Sequence, residues 1–191
     1  MKRVVLTMAV LALAASVQAA PITFTTSLSG AIEVPANASP GVGTATVIFD
    51  DDANTMQVDV TFSGLIGTTT MSHVHCCLAV PFTGTTGVAT ELPSFTGFPL
   101  GVQAGTYSHI FDTSLDATWS GAFRTANGGT NESAADAFLA GLLSGRTYLN
   151  IHTSFAPGGE IRGFLVPAPE PATLALIGFG IAGTLARRRR R

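Results

Sequence analysis

Histidines at a regular spacing are the residues of this chain best suited to chemistry. One residue separates His73 from His75, and a strand places such residues on one face, about 7 Å apart. Two imidazoles at that spacing can bind one metal ion. A second segment supplies His152 and Glu160, and a third imidazole with a carboxylate completes a zinc or copper site. The predicted ligands are therefore His73, His75, His152 and Glu160.

A structural role for the same histidines is the alternative. Buried polar side chains must find hydrogen-bond partners, so the three imidazoles could bond to one another, to Glu160 and to the backbone in a polar patch between two sheets. The sequence leaves both interpretations open. The fourth histidine, His109, stands alone in TYSHIF and is predicted to face solvent. Glu160 and Arg162 lie two residues apart and are predicted to form a structural ion pair.

The two cysteines of the chain, Cys76 and Cys77, follow His75 directly. Adjacent Cα atoms lie about 3.8 Å apart, below the usual disulfide range of roughly 4.4–6.8 Å, whereas an oxidising compartment favours a bridge. A vicinal disulfide, free thiols and Cys77 as a further metal ligand all stay open. If the strand continues in register, Cys77 shares the face of the histidines and Cys76 faces the core.

Strands and turns are the elements that must position these side chains. The segment TMQVDVTF alternates apolar and polar residues, as a half-buried strand does, and pairs with GTATVIF across a polar turn. Further strands are predicted at residues 23–28, 73–80, 106–111, 118–124, 148–153 and 160–166. A capping box of Ser133 and Asp136 begins one short helix that ends at Gly145. The pattern predicts an all-β fold, a β-sandwich with Greek-key connections.

The first 19 residues have the pattern of a signal peptide. Lys2 and Arg3 precede an apolar run, and small residues suit cleavage by signal peptidase after Ala19. The sequence therefore predicts export, removal of residues 1–19 and a mature domain at residues 20–166.

The last 25 residues, 167–191, combine three features in order: the motif Pro169-Glu170-Pro171, an apolar segment of 15 residues, and an arginine cluster. The cluster consists of Arg187, Arg188, Arg189, Arg190 and Arg191. A helix of that length reaches about 22 Å, short of a roughly 30 Å hydrocarbon core, which predicts a transient inner-membrane anchor with cytoplasmic arginines. This tail resembles the PEP-CTERM sorting signal of Gram-negative bacteria. The resemblance implies recognition by an exosortase-type transpeptidase and transfer to the cell surface, often in bacteria that make extracellular polysaccharide.

The mature domain is acidic. Residues 20–171 contain three arginines, no lysine and all 12 acidic residues of the chain, a net charge of −9. A charge of this sign and size argues against nucleic acid and anionic lipid as partners. Its length of about 150 residues suits one domain with its own core.

Residues 141–165, GLLSGRTYLNIHTSFAPGGEIRGFL, carry a resemblance to a known family. With LSGAIEVPA at residues 28–36 and the His-x-His of residues 73–75, they resemble the CHRD domain, first described in chordin and also found in exported bacterial proteins. The matching positions are Tyr148, Asn150, His152, Thr153, Pro157, Gly158, Gly159, Glu160, Ile161, Arg162 and Gly163. The resemblance implies an immunoglobulin-like or superoxide-dismutase-like sandwich with a binding role, and it supplies no catalytic activity.

These observations predict a surface or matrix protein with a non-enzymatic binding module, linked to extracellular polysaccharide or biofilm. Phe82, Phe95 and Phe98 are candidates for an aromatic surface that binds polysaccharide. The alternative is a metal-binding or redox protein. A His-x-His strand on a sandwich is similar to copper–zinc superoxide dismutase, but its dinuclear site needs more than the four histidines present, so we predict no enzymatic activity.

Overall fold

The computed structural model describes residues 20–169. The predicted signal peptide, Glu170, Pro171, the predicted membrane helix and the arginine cluster lie outside these residues. Among the described helices, none has the length and apolar character needed to cross a membrane. The fold and the candidate site therefore belong to the segment between the two predicted terminal signals.

Eight antiparallel strands form one curled sheet. They are β1 (Ile22–Ser29), β2 (Val42–Asp50), β3 (Thr55–Ser63), β4 (Thr69–His75), β5 (Gly105–Asp112), β6 (Tyr148–Thr153), β7 (Ile161–Phe164) and β8 (Val166–Pro167). The strand order is β4-β6-β7-β1-β2-β3-β5, and β8 pairs with β1. After β3 the chain crosses to β4 at the opposite end of this order and returns to β5 beside β3. The predicted all-β, sandwich-like fold is confirmed.

Period-2 alternation explains why these segments form strands with one apolar face. In β3, Met56, Val58, Val60 and Phe62 are buried, while the residues between them are more exposed. They share one core cluster with Val74, Leu149 and Ile151 from β4 and β6. The two halves of the curled sheet therefore enclose a common core.

Two helices, α1 (Gly121–Ala126) and α2 (Asn131–Leu143), pack on this core. The capping box of α2 is formed by Thr130 and Ser133, so the predicted helix begins earlier than the Ser133–Asp136 pattern indicates. Gly145 follows its end with φ 68°, a conformation that glycine adopts at low cost.

The predicted strand at residues 118–124 is wrong. This segment enters α1, because the Ser120 side chain accepts a hydrogen bond from the Phe123 N–H and caps the helix. Phe123 then packs against Phe138 of α2 and against Trp119, with ring centroids 6.5 and 6.0 Å apart. A cap and an aromatic cluster therefore outweigh the strand-like composition of the segment.

The strand predicted at residues 73–80 ends early, at His75. Beyond it, the Cys76 N–H donates to the Gly87 carbonyl and the Leu78 N–H donates to the Arg146 carbonyl. The loop that follows covers the outer edge of β4, where Ala89 N–H donates to the Val74 carbonyl. This loop is the reason why one side of the candidate site is enclosed.

Candidate metal centre

Three histidines lie on the face of β4 and β6 that points away from the apolar core. Val74, Leu149 and Ile151 alternate with them and belong to the core cluster, so the histidines project from the opposite face. His73 pairs across the strands with Asn150, and His75 with Tyr148. The structural alternative is met in part, since His73 and His152 contact each other and the imidazoles contact backbone carbonyls, but the side chains lie outside the apolar core.

Loop carbonyls hold the Nδ1 atom of each imidazole. His73 Nδ1 lies 3.2 Å from the Pro93 carbonyl oxygen, His75 Nδ1 2.7 Å from that of Thr86, and His152 Nδ1 2.8 Å from that of Pro157. A carbonyl oxygen can only accept, so every Nδ1 must carry the hydrogen. In a neutral imidazole the Nε2 atom then has a free lone pair.

Nitrogen atoms of the three imidazoles converge. One ligating nitrogen from each of His73, His75 and His152 lies within 4.8 Å of the other two. The Nε2 atoms of His73 and His152 are 2.9 Å apart, and the buried Nε2 of His75 has no hydrogen-bond partner within the described part of the chain. Two acceptors at that distance repel each other unless a cation lies between them. The cluster therefore has the geometry of a cation site.

Burial disfavours a proton as that cation. Desolvation, with the neighbouring imidazoles His152 and His75, lowers the pKa of His73 to about 3. Desolvation also lowers the pKa of His75 to about 4 and lowers that of His152. At neutral pH the three side chains are neutral, which is the form that binds metal.

A buried polar network borders the histidines. The His75 ring stacks on Tyr148, with centroids 4.5 Å apart, and the Arg162 guanidinium lies 4.7 Å above the Tyr148 ring. Arg162 Nε donates to the Ile32 carbonyl at 2.6 Å and lies 3.7 Å from the Glu33 carboxylate.

The predicted Glu160–Arg162 ion pair is wrong, since Arg162 pairs with Glu33. Sequence reasoning missed Glu33, because no spacing rule connects it to a strand so distant in the chain.

Glu160 lies outside the histidine cluster, which corrects its prediction as a metal ligand. Its carboxylate accepts hydrogen bonds from the Ser39 and Thr153 hydroxyls at 2.5 and 2.6 Å, and from the Ile66 and Gly67 N–H groups at 2.6 and 3.1 Å. Burial opposes the charge, but these four donors outweigh it and lower the pKa of Glu160. The carboxylate therefore holds the loops that contain Ser39 and Ile66 against the end of β6.

Cys76 and Cys77 are joined by a disulfide. Because β4 ends at His75, the register that placed Cys77 on the histidine face does not continue. Cys77 Sγ instead lies 3.6 Å from the Ala137 carbonyl oxygen of α2, and both sulfurs crowd Gly141. Neither cysteine belongs to the histidine cluster.

The intact mass of the protein tests the disulfide. We expect the non-reduced chain to be lighter than the reduced chain by two hydrogens, because both thiols have given up a hydrogen in the bridge. Mass spectrometry before and after reduction measures the difference. Labelling of two thiols in denatured, non-reduced protein would contradict this expectation.

Acid is expected to destabilise the metal-free protein. The pKa values of His73 and His75 fall from 6.5 to about 3 and about 4 on folding, so below pH 6.5 the unfolded chain binds protons that the folded chain does not. Stability is therefore lost as the pH falls from about 6.5 towards 4. Glu33 has the opposite effect on stability. Burial raises its pKa from 4.5 to about 7, so the folded chain binds its proton first as the pH falls. Because two histidines oppose one carboxyl group, the net result is a loss of stability.

Urea denaturation of the metal-free protein at several pH values measures this loss. The His73→Leu variant is expected to show a shallower fall between pH 6.5 and 4.5, because one group that titrates only in the unfolded chain is gone. Parallel curves for the two proteins would show that His73 does not titrate differently on folding.

Comparison with known proteins assigns the family. A family model described as the CHRD domain matches residues 24–165, about three quarters of the chain. The chain belongs to the CHRD domain family. A second model, the PEP-CTERM protein-sorting motif, matches residues 167–191. No curated protein and no solved structure matches the chain.

The sorting motif directly follows the CHRD domain. β8 pairs with β1, and the Ala168 N–H donates to the Thr23 carbonyl at 2.8 Å, so the sheet holds the chain up to the exposed Pro169. The motif implies export and exosortase processing to the cell surface. This CHRD protein is therefore an exosortase-sorted extracellular protein, and the exosortase is the partner that recognises its tail.

Proposed function

We propose that this CHRD protein binds one zinc or copper ion outside the cell through His73, His75 and His152. The observation that carries the proposal is the orientation of the three imidazoles. Each donates from Nδ1 to a loop carbonyl, which leaves its Nε2 bare, and one nitrogen of each ring lies within 4.8 Å of the other two. Lone pairs that converge in a buried place are stabilised when a metal ion accepts all three.

One distance in the cluster is close to that of such a site, and the others, which reach up to 4.8 Å, would contract on binding. Zinc–nitrogen bonds of about 2.0–2.1 Å at tetrahedral angles place the nitrogens roughly 3.3 Å apart. The 2.9 Å between His73 Nε2 and His152 Nε2 needs only a small expansion to reach that value. Imidazole suits both zinc and copper, so the donor set supports either metal. The carbonyl partners of the Nδ1 atoms would act as the outer shell that orients metal-ligating histidines.

The proposal is for binding and not for catalysis. A dinuclear site of the dismutase type would need further histidines, and His109 lies on β5, where its ring contacts Tyr107 and Phe111. Three histidines can hold one ion. We therefore assign the protein a role in holding metal at the cell surface or in the extracellular matrix.

A link to polysaccharide has less support. Of the predicted aromatic surface, Phe95 and Phe98 are buried in the core, and Phe82 alone is exposed, with its ring edge against Phe164. A platform of three exposed rings is not formed by these residues. The sorting signal is the reason to expect a matrix environment, and it does not indicate a particular polysaccharide as ligand.

Metal content tests the proposal. The full chain is exported, purified without a histidine tag and analysed by inductively coupled plasma mass spectrometry. We expect close to one zinc or copper per chain, removal by a chelator and full reloading. The His109→Ala variant is the matched control and should keep its metal, because His109 lies on β5. No retained metal after incubation with excess zinc and copper would refute the proposal.

A further inference from the structure

Asn150 carries a buried hydrogen-bond acceptor for which residues 20–169 supply no donor. The side chain is 2 % exposed, and its Oδ1 atom has no partner. An unsatisfied buried polar atom destabilises a fold, so its presence calls for an explanation. The second such atom in this region is the Nε2 of His75, which the proposed metal would satisfy.

The position of Asn150 connects its free oxygen to the histidines. On β6 it lies two residues before His152 and therefore on the same face, and across the strands it pairs with His73 on one side and Arg162 on the other. Asn150 thus stands between the histidine cluster and the Arg162–Glu33 pair.

The hydrogen bonds of Asn150 Nδ2 orient the side-chain amide. Asn150 Nδ2 donates to both Glu33 carboxylate oxygens, at 3.1 and 3.3 Å, and Glu33 is held on the Arg162 side. The nitrogen therefore faces Glu33, where the ionised carboxylate accepts both contacts, and the oxygen takes the other corner of the amide. Gly159 (φ 132°) leaves the space that the amide occupies, since a Cβ there would lie 2.9 Å from Oδ1.

We infer that Asn150 Oδ1 accepts a hydrogen bond from a water molecule bound to the metal, which leaves the ion one exchangeable ligand position. This inference rests on the proposed function. Three histidines fill three positions of a four-coordinate ion, and a solvent ligand completes the open type of zinc site. A metal-bound water is a strong donor, and the Nδ1 hydrogens of the histidines are already taken by loop carbonyls. Amide oxygens suit harder cations than zinc or copper, so Oδ1 fits the water better than the ion itself.

The ligand class that follows is a small anion able to displace water. Azide is a suitable probe, and cobalt(II) in place of the native metal gives a visible spectrum that reports coordination. Cobalt-loaded full chain is titrated with azide as wild type, Asn150→Leu, Asn150→Asp and Thr147→Val. The last variant is the matched control, because the Thr147 hydroxyl is also buried and without a partner but belongs to the residue before β6, on the core-facing side.

We expect all four proteins to bind one cobalt, and we expect azide to bind the wild type. Loss of the acceptor in Asn150→Leu should weaken the bound water and tighten azide binding about 10- to 100-fold, the effect of one hydrogen bond to a charged group. Asn150→Asp should weaken azide binding by a similar factor, because its carboxylate holds the water and repels the anion. Thr147→Val should match the wild type.

Four results would overturn the inference. Unchanged azide affinity in both Asn150 variants would show that Oδ1 does not hold the ligand. Loss of cobalt from Asn150→Leu, with cobalt retained but its spectrum changed in Asn150→Asp, would make Oδ1 a direct ligand. A wild-type protein that binds cobalt but no azide would have a closed site. A wild type that binds no metal would remove the proposed function as well. If Asn150→Leu does not fold, Asn150→Asp carries the comparison.

Discussion

A protein in which alanine replaces His152 is expected to lose its metal. His152 Nε2 lies 2.9 Å from His73 Nε2, so its removal takes one of three protein ligands and leaves two. Changes in outer-shell partners cost roughly 10- to 100-fold in metal affinity, and loss of a direct ligand should cost more. Competition with a chromophoric chelator measures the affinity. The His109→Ala variant should retain the affinity of the wild type.

The loss of metal binding should also remove the stabilisation that the bound metal gives to the fold. At a free metal concentration of 100 times the dissociation constant, binding stabilises the wild-type fold by about 2.7 kcal/mol, and this increment should vanish in the variant. Thermal unfolding with and without metal measures it. His152→Gln, which fills more of the vacated volume, separates a binding defect from a folding defect. Wild-type affinity in a folded His152 variant would refute the assignment of His152 as a ligand.

Replacement of Glu160 by alanine is expected to cause a large loss of stability without a loss of metal affinity. The carboxylate is fully buried and accepts from the Ser39 and Thr153 hydroxyls and from the Ile66 and Gly67 N–H groups. The variant leaves four donors without that acceptor. A buried donor left without an acceptor costs about 1–3 kcal/mol, so the loss of several such bonds is expected to be large. Urea denaturation of the metal-free protein measures the change.

Metal titration of the folded variant completes this test. Because Glu160 lies outside the histidine cluster, the affinity of Glu160→Ala should equal that of the wild type at a temperature where both are folded. A matched control is Glu132→Ala at the exposed start of α2, which should lose less than about 0.5 kcal/mol. A stable Glu160→Ala protein with weakened metal binding would restore Glu160 as a ligand.

Local periodicity accounts for what could be predicted of the site. His73 and His75 face one side because residues two apart on a strand always do, and the alternation of Met56, Val58 and Val60 locates a core strand for the same reason. These are properties of neighbouring residues. They need no knowledge of which strands pair.

The two wrong predictions, Glu160 as a metal ligand and a strand at residues 118–124, have a different origin. Glu160 follows a turn, and the direction of a side chain after a turn depends on the loops it meets, here those of Ser39 and Ile66. The segment at residues 118–124 was predicted as a strand, yet the Ser120 cap and the contact of Phe123 with α2 make it a helix. Contacts with distant residues decided both cases.

The sequence by itself determined the family, the sorting tail, the all-β class and the identity of the three histidines. Each of these depends on residue order or on a period of two. Only the tertiary structure decided that β4 pairs with β6, which brings His73 to His152. It also decided that loop carbonyls take the Nδ1 hydrogens and that Asn150 turns its amide nitrogen to Glu33. Hydrogen-bond direction between distant segments is a property of packing, and the order of residues does not encode it in any local pattern.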